Sequence, residues 1–194
     1  MTVFTDDHMH RPLFEKPTAE LERPNEWSEP LGFMVGGMAN HEYQHIGQQY
    51  FDAACHLVNC IKNRDVADCD VANPVLYLYR HSIELFLKAI LQDAAKTHSL
   101  DTLAEEYRAF IREVSGADCP EWIVTRMKEL GAVDPKSTAF RYSTNYDTRT
   151  KEDQWIDGEF HVDLHHLESV MAALKIALTG TFAMVACGKG TSTK

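Results

Sequence analysis

Two short stretches combine side chains that could do chemistry. The first is HEYQH, at His41 to His45, which spells H-E-x-x-H. On a helix that spacing places two histidines one turn apart, able to bind zinc, with the intervening glutamate as general base. The second is YLYRHSIELFLKAIL, in which Arg80, His81, Glu84 and Lys88 punctuate an otherwise apolar run. His81, Glu84 and Lys88 stand at i, i+3 and i+7, one line along a helix. Charges on a line that faces protein rather than water need partners, and His98, Arg141 and Tyr142 are the polar groups further along the chain that can supply them.

The first stretch lacks what a catalytic zinc requires. Three protein ligands and an open position are needed, and no third ligand stands at the spacing of a zinc protease. Helical geometry sets His41 and His45 opposite a stripe of Tyr43, Tyr50 and Leu57, so the pair is expected to face outward, with His56 on the same side. The segment HEYQHIGQ also resembles the H-x-x-x-H-x-G-Q segment of DinB-type metal-dependent four-helix bundles, and His161 with His165 repeats the same spacing. That resemblance would make His41 and His45 metal ligands; the residue reading favours a solvated helix face with no metal and no cofactor.

The elements that must position these groups read as helices. The chain has 194 residues, 44% hydrophobic and 25% charged, which suits one soluble domain with an added arm. Four of its seven prolines fall in the first thirty residues, so residues 1–37 read as an irregular arm, residues 38–187 as a bundle and 188–194 as a loose tail. A first helix is expected from Asn40, as cap, to Lys62. A second is expected from Asn73 and Pro74 to about Ala95, the most apolar and therefore central one. Shorter helices follow over SLDTLAEEYRAFIREV, capped by Ser99, and over CPEWIVTRMKEL, ended by Gly131. Residues 132–160 read as an excursion in which FRYST and QWIDGEF pair as a small hairpin, within about 139–160. A last long helix runs from about Val162 to Ala186. The fold class is all-α, a bundle of three long and two short helices.

Several function classes are made improbable by composition. The net charge of -10 does not favour a nonspecific electrostatic grip on nucleic acid. Five cysteines without C-x-x-C spacing argue against a disulfide framework or a zinc ribbon. The beginning MTVFTDDHMHRP has no basic and then apolar leader, and no apolar run is seen to approach the ~18 residues of a membrane span, so a cytoplasmic location without membrane contact is expected.

The order of the helices and the segments H-x-x-E-L-x-L-K-A-x-L, H-x-L and F-R-Y resemble the HEPN-like helical-bundle superfamily. The residues that carry the resemblance are His81, Glu84, Leu85, Leu87, Lys88, Ala89, Leu91, His98, Leu100, Phe140, Arg141 and Tyr142. The resemblance implies a homodimer and either ribonuclease activity or binding of a nucleotide, RNA or partner protein. Its nucleases use an arginine and a histidine separated by four to six residues, R-x(4–6)-H, and no arginine here has a histidine at that spacing. The expectation is therefore a binding bundle that does not cleave, with Arg80, His81, Glu84, Lys88, His98, Arg141 and Tyr142 as its ligand-facing residues. A ribonuclease with unorthodox residues is the alternative, and a metal-binding bundle built on His41 and His45 comes third.

Overall fold

The computed structural model describes residues 10, 13–14, 42–92, 96–147, 149–156 and 158–189. The chain divides into a unit Met1–Gly36 and a unit Gly37–Lys194, and the architecture below is that of the second. All of the expected arm but residues 10 and 13–14, the Asn40 cap, His41 and the 190–194 part of the tail lie outside the described residues.

Six helices and one hairpin make up the described part. They are α1 (Tyr43–Lys62), α2 (Asp68–Leu91), α3 (Leu100–Ser115), α4 (Glu121–Val133), α5 (Ala139–Tyr142), β1 (Thr144–Asp147), β2 (Glu152–Trp155) and α6 (Leu164–Lys189). The bundle is mostly helical, as the sequence indicates, with α2 at its centre: every residue from Ser82 to Ile90 is buried. Around it close Phe51 of α1, Leu100, Leu103 and Tyr107 of α3, Met127 of α4, and Met171, Leu174 and Leu178 of α6.

The buried face of α1 is not the one its tyrosines suggest. Gly47, Phe51, Ala54 and Val58 face inward, while Tyr43 is exposed. Gly47 explains the rotation. A methyl group there would stand 3.0 Å from two ring carbons of Phe86 and 3.3 Å from Leu85 Cβ, so α1 lies against α2 at a distance only glycine permits. Gly131 plays the same part in α4, with a Cβ there 3.3 Å from Leu100 Cβ; it is a packing glycine inside the helix rather than its stop.

Helix α2 begins six residues before Pro74, not at it. Asp68 and Asp70 sit in its first turn, where negative charge offsets the positive end of the helix dipole. Pro74 leaves the Asp70 carbonyl without its helical donor, and Asp70 is exposed to water that can replace it. At the other end Gln92 takes a φ of 53° and closes the helix before Ala95. Ser99 caps α3 as expected, its side chain accepting from the Thr102 N–H at 3.3 Å.

The F-R-Y segment is helical, which corrects the expected hairpin. Asp134 Oδ1 accepts the N–H groups of Thr138 and Ala139, at 2.7 and 2.9 Å, and this starts the single turn α5. The strands lie after it, antiparallel, with Thr144 opposite Trp155 and Tyr146 opposite Asp153.

Helix α6 corrects a second expectation. Its stretch Leu164–Cys187 has a mean hydropathy of 1.8 and is long and apolar enough, by length and composition, to cross a membrane. Here it packs as a bundle member. Lys62 binds Glu168 at 2.9 Å, and Met171, Leu174 and Leu178 enter the core. Its N-terminus is capped by Asp163, which accepts the His166 N–H at 2.8 Å. His161 therefore precedes the helix, and the His161/His165 pair does not share one helical turn.

Candidate functional site

Arg80 is the hub of the polar groups on α2. Its side chain is wholly buried, as are those of Glu84 and Asp134. Helical spacing brings Arg80 Nη1 to Glu84 Oε2 at 3.0 Å. Its Nη2 donates to the His98 carbonyl at 2.8 Å, and its Nε donates to the Asp134 carbonyl at 3.0 Å. Asp134 Oδ2 lies 3.2 Å from the same Nε, but that N–H is directed at the carbonyl, so the carboxylate contributes charge rather than a hydrogen bond. The guanidinium thus holds three separate pieces of chain.

Glu84 is shared more widely still. Its Oε1 accepts from Lys88 Nζ at 2.8 Å and contacts His98 Nδ1 at 2.7 Å. Burial pushes its proton affinity up, but the hydrogen bonds from Lys88 and His98 and the charges of Lys88 and Arg80 outweigh it and hold the carboxyl below its ordinary range. Two formal positive charges, Arg80 and Lys88, face two formal negative ones, Glu84 and Asp134, so the buried cluster is balanced without His98. The His98 side chain is 67% exposed and closes the cluster on the solvent side.

His81 and Arg141 do not join this cluster, although the sequence suggested one common pocket. The His81 ring lies between two tyrosines, edge-on to Tyr50 at 4.6 Å and stacked on Tyr77 at 5.6 Å and 7°. Burial among these rings lowers its proton affinity, with the charge of Glu84 opposing. Arg141 donates from Nε to the Ser137 carbonyl at 2.6 Å and lays its guanidinium 5.6 Å from the Tyr77 ring centre and 5.3 Å from that of Tyr142. The result is a continuous row, Tyr50, His81, Tyr77, Arg141 and Tyr142, that emerges at the exposed Arg141 and Tyr142.

The predicted residues therefore divide. Arg80, Glu84, Lys88 and His98 form a charge cluster; His81, Arg141 and Tyr142 belong to an aromatic row. Three participants were missed by the sequence reading. Asp134 was passed over inside a supposed excursion, and the signal that would have found it is an aspartate before Pro135 and ahead of a Ser-Thr pair, the pattern of a cap. Tyr50 was read only as part of an apolar stripe, and Tyr77 was given no role.

His45 is exposed and meets Gln49 Nε2 at 3.0 Å, and among the described residues no three His, Cys, Asp or Glu side chains are grouped to hold a metal ion. No protein-family model, curated protein or solved structure that was compared with the chain matches it.

Proposed function

We propose that this chain is a HEPN-like binding bundle that takes the base and phosphate of a nucleotide or of RNA on the row from His81 to Tyr142, without cleaving it. The observation that supports this reading is the division of labour among the polar groups. Arg80 and Glu84 use their hydrogen-bonding capacity on the chain itself. A buried, mutually neutralised cluster is a poor source of general acid or base. Arg141, in contrast, reaches the surface with no carboxylate partner among the described residues, beside the open face of Tyr142. Base stacking on an aromatic ring and phosphate contact from a guanidinium are the two elements of single-stranded nucleic acid recognition.

A homodimer fits the same reading, with the outer face of α6 as its contact. Ala172, Ile176, Gly180, Ala183, Met184 and Cys187 are exposed along that face and none carries charge, so two copies of an acidic chain can meet there without repulsion. An antiparallel pairing about Gly180 sets Ile176 of one copy against Met184 of its partner, the self-complementarity that a two-fold contact requires.

Calorimetric titration with AMP, UMP and a short single-stranded RNA tests the binding. Binding weakened about tenfold or more by Arg141→Ala and by Tyr142→Ala is expected. Titrations that show no heat with any of the three, or RNA cut by the purified protein and spared by the His98→Ala variant, would overturn the reading.

A further inference from the structure

We propose that the face between the hairpin and α5 is a second binding site, one that takes an alkylated ammonium group. A cleft of about 480 Å³ opens there, lined by Thr138, Tyr142, Thr144, Tyr146, Asp153 and Trp155. The strand register builds it. Thr144 stands opposite Trp155 and Tyr146 opposite Asp153, and alternate residues of a strand share a face, so all four project from one side of the hairpin. Tyr142, at the end of α5, forms the adjoining wall.

Three large aromatic side chains meet at this cleft, and all are open to solvent: Tyr142 is 67% exposed, Tyr146 45% and Trp155 73%. Rings this open contribute little to the core among the described residues and mark a contact surface. The charge beside them decides what fits. Asp153 is the only charged side chain in the lining, and it has no ion-pair partner among the described residues. Two cations stand near the lining, Arg141 on the Tyr142 ring and Lys136 on the Tyr146 carbonyl, so the part that favours a cation is the one where the Asp153 carboxylate meets the negative faces of Tyr146 and Trp155. Arg141 already shows that the Tyr142 ring accepts a cation, while no cation lies over Tyr146 or Trp155 among the described residues.

The rings also select among cations. An unalkylated ammonium gives up strong hydration and must regain it from hydrogen-bond acceptors. Besides the Asp153 carboxylate the lining offers only neutral hydroxyl oxygens, those of Thr138, Thr144, Tyr142 and Tyr146. A quaternary or methylated ammonium is weakly hydrated, spreads its charge over methyl groups and meets aromatic faces without needing further acceptors. The cleft shares the Tyr142 ring with the nucleotide row, but its selection of an ammonium rests on Asp153, Tyr146 and Trp155, which the row does not use.

The test titrates the full chain by calorimetry or NMR with choline, with N-acetyl trimethyllysine amide, with the neutral isostere 3,3-dimethylbutanol, and with AMP. Choline or the trimethyllysine amide should bind at least about tenfold tighter than the isostere. Whichever of the two binds better assigns the source, a small quaternary amine or a modified side chain. Trp155→Ala and Asp153→Asn should each weaken that binding at an unchanged Tm, because both positions are exposed. Equal affinity for the isostere would reduce the site to an apolar cleft and overturn the proposal. So would AMP as the tightest ligand lost in Trp155→Ala, or no ammonium binding at concentrations on the order of 10 mM.

Discussion

Between Ser82 and Ile90 α2 buries every residue, Glu84 and Lys88 included, whereas α6 leaves Ile176 72% and Met184 66% exposed in a stretch with a mean hydropathy of 1.8. One helix hides charge and the other displays apolar surface. The buried charges of α2, Arg80, Glu84 and Lys88, are accounted for inside the chain: each meets an opposite charge within 3.2 Å. The apolar face of α6 has no such account among the described residues. A rule broken with its compensation in view is architecture; a rule broken without one points outside the chain.

The largest expected effect tests the first half of that contrast. Glu84→Gln leaves Arg80 and Lys88 without their shared carboxylate, and truncating one member of a buried ion pair costs about 3–5 kcal/mol. Chemical denaturation should show a loss of that size. A change under about 1 kcal/mol, the value of a surface pair, would mean that the cluster is wetter than its burial indicates.

Acid separates the cluster from the row beside it. Glu84 has a folded-state pKa below its ordinary value of 4.5, so its contribution is fully present above that pH and is lost as pH falls through the lower, folded-state value. His81 also has a lowered pKa, from an ordinary 6.5, so its stabilising effect is present above that pH and declines as pH falls below it. Stability measured against pH should therefore fall in two steps. His81→Gln should remove the upper step alone and Glu84→Gln the lower; a single step that both variants leave in place would break this assignment.

Ile176→Asp is expected to do least to stability, within about 0.5 kcal/mol for a surface position on the separated chain. It should nonetheless abolish self-association as measured by light scattering after size exclusion. A wild-type chain that stays monomeric would leave the α6 face to a different partner.

The sequence revealed the periodic elements and concealed the close contacts. Alternation of apolar residues located α1, α2, α3, α4 and α6, since burial of one face is written locally. The rotation of α1 was hidden because Gly47 carries no hydrophobic signal, and its effect lies in what a missing Cβ lets Phe86 do. The polar line on α2 was legible as a line, but its division was not. Residues three and four apart share a face only broadly, and His81 lies between the rings of Tyr50 and Tyr77 while Glu84 faces Arg80 and Lys88. Asp134 lies 54 positions from Arg80, and no local pattern carries a partnership of that reach.

That reach has a consequence for how the chain comes apart. Arg80 ties its own helix to the carbonyl of His98 at the entry to α3 and to Asp134 just beyond α4. Undocking the segment around Asp134 removes one ligand of a buried guanidinium and releases the start of α5 with it. A partly open form with α2 still packed would hold an undersatisfied cation in its interior, a state costly enough to stay scarce. The amides of Thr138 and Ala139 should then exchange with solvent deuterium at rates close to those of the α2 interior, so that a four-residue helix shares the protection of the longest-buried one.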